Sequence, residues 1–346
     1  MRLAVRIALV AGLALLIALL LHEGGAILIP LARAGCVLLW LVPLHVLPIL
    51  LDSLGWRVLI ARWRKSRIGT LFWIATVREG INRLLPVANI GGELVGIRLL
   101  AERGVDGIVA AASVATEVVL TVCSQYVFVL IGVLCLLRLT DTVQLVDDVL
   151  IGLAASLPFI VLLAVLLRYG SVFERMERFA VRLLGEQALS FLAGQSASLD
   201  AAIRELCRDR SRLATTMAWQ VTGMVAGSLE TWFALRWLGR PVHFGAAVAL
   251  ESLTLTMRNF AFLVPAGLGV QEASLVGFGA LLGINGEIAL ALSLAKRMRE
   301  ILFGVPALLS WYWVEGRREL QHALGVTSGQ TDVAARSSAR DRGPSR

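Results

Sequence analysis

The chain has 346 residues, of which 57% are hydrophobic and 17% charged, and its mean hydropathy is +0.76. That balance is too apolar for an ordinary water-soluble domain. The net charge of +8 collects in short basic links, so nucleic-acid binding would leave the long apolar segments unexplained.

Read in chain order, Arg2 and Arg6 precede an apolar run that ends at Leu21. More such runs follow, so this start reads as a retained membrane span over 3–21 rather than a cleaved signal. A second span is predicted over 36–60, bent at Pro43 and Pro48 and followed by the basic link RWRKSR (62–67). Further spans are predicted over 107–137, 149–167, 213–238 and 286–314, since about 20 apolar residues match the roughly 30 Å bilayer core. Basic links face the cytoplasm, and the acidic link 138–148 then lies outside. Between 171 and 208, apolar residues at helical spacing alternate with Glu and Arg, which predicts an amphipathic cytoplasmic segment. Residues 316–346 are polar and predict a disordered cytoplasmic tail behind an integral membrane domain over 1–315.

Two stretches interrupt this pattern. Residues 86–93 read PVANIGGE and residues 265–272 read PAGLGVQE, each with a glutamate seven residues after a proline. Proline and glycine release backbone from helical geometry, and such backbone at membrane depth must line protein or a water-filled cavity. Pro86, Asn89, Gly91, Gly92, Pro265, Gly267 and Gly269 therefore predict two re-entrant helical hairpins. With six full spans they make an all-α polytopic membrane protein containing an inverted repeat, a pattern that points to a transporter site.

Charges inside apolar segments cost roughly 2.5 to 3.5 kcal/mol each on insertion scales, so they are expected to face inward. Glu93, Arg98, Arg258 and Glu272 are the candidate headgroup-binding residues, with Glu117 and Glu230 beside them. Gln220, Gly223, Gly227 and Glu230 share one helical face, and Glu117 shares another with Thr121 and Ser124. Arg297 and Glu300 are spaced to pair locally. Internal glue between helices is the plainer reading of any one such pair. The four histidines are scattered and form no metal motif, no nucleotide-binding loop is present, and no cofactor is expected.

With these residues in view, the chain resembles the membrane domain of the lysylphosphatidylglycerol synthase and flippase superfamily over roughly residues 3–315. The first motif is carried by Pro86, Asn89, Gly91, Gly92 and Glu93, then Arg98. The second is carried by Pro265, Gly267, Gly269 and Glu272, with Ala266 where glycine is frequent. The likeness is greatest to hopanoid-biosynthesis-associated proteins of the bacterial inner membrane. It implies lipid transport without intrinsic enzymatic activity, with hopanoid or phospholipid as ligand, and lipid-biosynthesis or transport proteins or a second copy of the chain as partners. An integral membrane lipid-modifying enzyme and a structural subunit of a lipid-synthesis complex are the competing classes.

Overall fold

The computed structural model describes residues 29–85, 91–139, 196–260, 264 and 267–340, with 151, 154, 157, 158 and 165; along 316–340 it describes the backbone alone. The described elements are helical. A 3-10 turn at Gly35–Trp40 leads into α1 (Leu41–Ile60), followed by α2 (Ile68–Leu84), α3 (Gly91–Glu102) and α4 (Gly107–Leu137). After a gap come α5 (Ser196–Arg208), α6 (Arg210–Trp237), α7 (Phe244–Phe260), α8 (Val270–Leu281) and α9 (Gly286–Arg340). The backbone of α9 stays helical beyond residue 315.

Helices α1–α4 and α6–α9 form two corresponding sets. In each, a helix of 17 residues is followed by one of 12 residues. Each 12-residue helix ends on a positive-φ glycine, Gly104 or Gly283. Beyond it, Val105 N donates to Leu100 O and Ile284 N to Gly279 O, at 3.4 and 2.8 Å. These are the same reversed turns that close a helix with its last carbonyls satisfied. The sets then exchange partners: α4 packs on α7, α9 packs on α2, and α1 lies along α6.

Small residues set these approaches. A Cβ on Gly55 of α1 would stand 3.1 Å from Thr216 O, and one on Gly223 of α6 would stand 3.2 Å from Pro48 O. Gly80 of α2 is held equally close to Gly304 of α9. One apolar core joins Trp56, Leu59, Leu71, Ile74, Leu99 and Leu100 to Ile203 and Leu206 of α5, so α5 docks its apolar face on the body. Arg62 reinforces that contact by pairing with Glu205 at 2.7 Å. A second core joins Leu235, Leu250, Leu275, Leu290 and Leu292.

The expected arrangement of six spans and two re-entrant hairpins is corrected by this structure. Among the described residues, two helical stretches are long and apolar enough to cross a membrane, Ile29–Ile60 and Gly107–Leu137. The segment expected to span at 286–314 carries Lys296, Arg297, Arg299 and Glu300 together within α9. The glycine-rich segments expected to turn back in the membrane are instead densely packed helices: α2 and α3 lie on each other and against α9 and α4, as α7 and α8 do against α4 and α9. The expected spans at 3–21 and, apart from isolated positions, 149–167 lie outside the described residues.

Candidate functional site

The first motif surrounds Arg78, which is 8% exposed. Its Nη1 donates to Glu117 Oε2 at 2.8 Å, its Nη2 pairs with Glu93, and its guanidinium lies 4.9 Å from the Trp56 ring centroid. One cation thus serves two carboxylates from α3 and α4. Asn82 ties α3 down: its Nδ2 donates to Glu93 Oε1 at 3.3 Å and its Oδ1 accepts from Gly92 N at 2.9 Å. The glycines are required by this contact. A Cβ at Gly92 would come within 2.6 Å of Asn82 Oδ1, and one at Gly96 within 2.6 Å of Arg78 Cδ.

A larger acid–base cluster lies where α1, α2, α6, α7, α8 and α9 meet. Buried His45 of α1 places Nδ1 2.6 Å from Glu230 Oε1 and Nε2 3.0 Å from each oxygen of Glu79. Arg299 Nη1 stands 2.9 Å from that same Nε2, while its Nε lies 3.2 Å from Glu230 Oε2. Glu300 accepts from Arg258 Nη1 at 3.3 Å and from Arg297 Nη1 at 3.2 Å, and Arg83 approaches it at 3.9 Å. On α8, Gln271 accepts from Arg258, and Glu272 accepts from Ser293 at 2.9 Å and Arg297 Nε at 3.2 Å. The backbone carbonyl of Gly267, a residue with φ of +60°, accepts from Arg297 Nη2 at 3.2 Å. Next to this cluster Lys296 pairs with Glu251, which also accepts from Thr231.

Arg83, Arg258, Arg297 and Arg299 here face Glu79, Glu230, Glu272 and Glu300, so fixed charges of opposite sign are matched in number. Taking such groups out of water costs several kcal/mol per ion, and only close partners repay it. The repayment is incomplete at three atoms of these clusters: Glu272 Oε2, Arg78 Nε and Arg299 Nε are buried without a hydrogen-bond partner among the described residues. His45, Glu79, Arg83, Arg299 and Glu300, with Gly80, Phe303 and Gly304, line a cavity of about 10 Å³, room for about one water.

The sequence-derived candidates divide between these places. Glu93 and Glu117 meet at Arg78, whereas Arg258, Glu272 and Glu230 join the larger cluster. Arg98 joins neither: its side chain is 63% exposed and pairs with Glu102 at 3.0 Å and with Glu315. Gly91 and Gly92 open α3, and Gly267 and Gly269 precede α8. Pro86, Asn89 and Pro265 lie outside the described residues. The expected polar faces of α4 and α6 meet, with Ser124 donating to Gln220 Oε1 at 3.0 Å and Gln220 Nε2 donating to Thr121 at 2.8 Å. Missing from the sequence-derived set are Arg78, Glu79, Arg83, His45 and Arg299. The signal for His45 was present, since a lone polar side chain in the apolar run LVPLHVLP must find partners when buried.

The arrangement offers exchangeable ion pairs rather than a nucleophile poised beside a base. Among the described residues no three His, Cys, Asp or Glu side chains are grouped as metal ligands would be. The chain matches the family described as lysylphosphatidylglycerol synthase TM region over residues 3–307. No curated protein and no solved structure matches it. The matched family model covers the membrane portion of the synthase, which is not its catalytic part.

Proposed function

Because the chain belongs to the lysylphosphatidylglycerol synthase transmembrane family, we propose that it translocates a phospholipid across a bacterial inner membrane by passing the headgroup through the buried acid–base cluster. The observation that supports this is the convergence of Arg83, Arg258, Arg297 and Arg299 with Glu79, Glu230, Glu272 and Glu300 from five helices. A phosphodiester takes bidentate hydrogen bonds from arginine, and a headgroup amine takes the carboxylates that those arginines release. Each internal pair is thereby replaced by a pair with the ligand, so the charges stay compensated as the headgroup moves. Glu93, paired with Arg78, holds α3 against α2. The lipid tails need no such path and stay in the bilayer.

Ionic groups of both signs fit a phospholipid better than a hopanoid, whose fused rings they do not recognise. The test is reconstitution of the full chain into liposomes with fluorescent phosphatidylglycerol or phosphatidylethanolamine in one leaflet, following the label by quencher access. Protein-dependent movement is expected, slowed about tenfold or more by Arg258→Gln or Glu272→Gln, the loss of one charge-assisted hydrogen bond of about 1.5 kcal/mol or more. Movement of a labelled hopanoid with neither phospholipid moving would overturn the phospholipid reading in favour of the hopanoid-associated branch.

A further inference from the structure

We propose that His45 is a proton-binding site that couples uptake of one proton to entry of an anionic headgroup, a step that rests on the translocation reading above. Its two ring nitrogens are committed differently. Glu230, a carboxylate, only accepts, so the 2.6 Å contact at Nδ1 places a hydrogen there. The neutral ring then has a lone pair on Nε2, which suits the Arg299 donor at 2.9 Å but faces the Glu79 oxygens at 3.0 Å. Adding a proton reverses both relations: Nε2–H donates to Glu79, and Arg299 loses its acceptor.

Two partners crowd one nitrogen, and each matches a different protonation state. Arg299 has somewhere to go, because Glu230 Oε2 lies 3.2 Å from its Nε and Glu79 Oε1 lies 3.9 Å from its Nη1. The surrounding groups set the electrostatic demand. Glu79 and Arg83 face His45 from α2, Glu230 from α6, and Arg299 and Glu300 from α9, with Arg258 of α7 behind Glu300 and Asp52 two turns along α1. Arginines and glutamates of the larger cluster are equal in number, so an entering phosphodiester that brings no amine of its own leaves one negative charge uncompensated. A proton on Nε2 supplies the missing positive charge. It also releases the Arg299 donor at the moment the phosphate needs one. The cavity beside Nε2, closed on one side by the Phe303 ring at 5.0 Å, holds about one water through which the proton reaches the ring.

A purely structural histidine bridge would keep one protonation state, and this difference can be measured without transport. The full chain, labelled with 15N-histidine in lipid nanodiscs, is titrated by nuclear magnetic resonance, with the His45 signal assigned by its absence in His45→Gln. The expected result is conversion of Nε2 from acceptor to N–H within about pH 5 to 8, the range in which histidine environments place that change. Glu79→Gln should then require a lower pH for protonation, and Arg299→Gln should keep the proton to a higher pH. A His45 signal unchanged across that range, or variants shifting in the same direction, overturns the proposal. In the liposome assay, the ratio of phosphatidylglycerol movement at acidic to neutral pH should be about tenfold in the wild type and collapse toward unity in His45→Gln. Wild-type movement with no pH dependence overturns the coupling while leaving translocation intact. Absence of any phospholipid movement removes the translocation reading instead, and the coupling with it, even where the resonance titration succeeds.

Discussion

Gly92 offers the most direct test of why the glycine motif exists. A Cβ there would lie 2.6 Å from Asn82 Oδ1 and would also meet the Arg78 carbonyl, where ordinary contact begins at 3.4 Å. Helix α3 must therefore withdraw by at least about 0.8 Å to clear Asn82 Oδ1, and further to clear the Arg78 carbonyl, which is closer still. That movement stretches the 2.9 Å bond from Gly92 N and the 3.3 Å bond from Asn82 Nδ2 to Glu93 out of hydrogen-bond range. Overpacking costs about 1 to 3 kcal/mol and a lost hydrogen bond about 1 kcal/mol, so Gly92→Ala should destabilise by roughly 2 to 4 kcal/mol. Gly277 on α8 is the control: nothing stands within 4 Å of a Cβ there, and alanine should stabilise by about 0.8 to 1 kcal/mol through helix propensity. Thermal unfolding of both variants in one detergent, followed by the helical circular dichroism signal, should move in opposite directions. If Gly92→Ala melts at or above the wild-type temperature, the close-approach argument for the motif is wrong.

Arg78→Gln leaves Glu117, 2% exposed, without its cation and should cost about 3 to 5 kcal/mol in the same melt; Glu93→Gln should cost less, because Arg78 keeps Glu117. Arg98→Ala removes only exposed pairs and should change stability by less than about 1 kcal/mol. It should also leave lipid movement unaffected, whereas a loss as large as that from Glu272→Gln would return Arg98 to the site. Trp73→Phe deletes the 2.9 Å bond from Trp73 Nε1 to Ser310 that joins α2 to α9 and should lower stability by about 0.5 to 1.5 kcal/mol.

The sequence tells which face of a helix is polar far better than it tells what that face meets. The rhythm of Gln220, Gly223, Gly227 and Glu230 is legible because residues three and four apart share a side. That Gln220 would meet Ser124 and Thr121, and Glu230 would meet His45, depends on how distant helices pack, which no local spacing encodes. The same gap explains Arg78: it precedes PVANIGGE and shares no spacing rule with it, yet it holds that motif's Glu93. The membrane architecture departs from the sequence expectation for a related reason. The glycines after Pro86 and Pro265 predict backbone that turns back within the membrane, whereas Gly92, Gly96 and Gly267 let the chain approach a buried arginine or a neighbouring backbone. Arg297 and Glu300 are legible as a local pair, but that Lys296, Arg297, Arg299 and Glu300 together crowd one part of α9 tells against a lipid-facing span at 286–314.

The two corresponding halves carry opposite charges on the same framework. Glu79 of α2 stands where Arg258 stands on α7, and Glu117 of α4 where Lys296 stands on α9, at the separation that also relates Glu93 to Glu272 and Gly104 to Gly283. Because α9 packs on α2, Arg299 of the second half approaches Glu79 of the first and Arg83 of the first approaches Glu300 of the second, so the ionic network crosses between halves. Its pairs across the α2–α9 seam are long, Arg83 to Glu300 and Arg299 to Glu79 at 3.9 Å each. Contacts that stay within one half, or run from α1 to α6, are shorter, with Arg78 to Glu117 at 2.8 Å and His45 to Glu230 at 2.6 Å. Coulomb attraction falls with distance, and beyond hydrogen-bond range the directional gain is lost. The α2–α9 seam therefore has the charge pairs that cost least to exchange, while Arg78 and its two glutamates hold the first half rigid beside it. A headgroup that inserts at this seam displaces the weakest internal partners first, which is the order of events the proposed translocation requires.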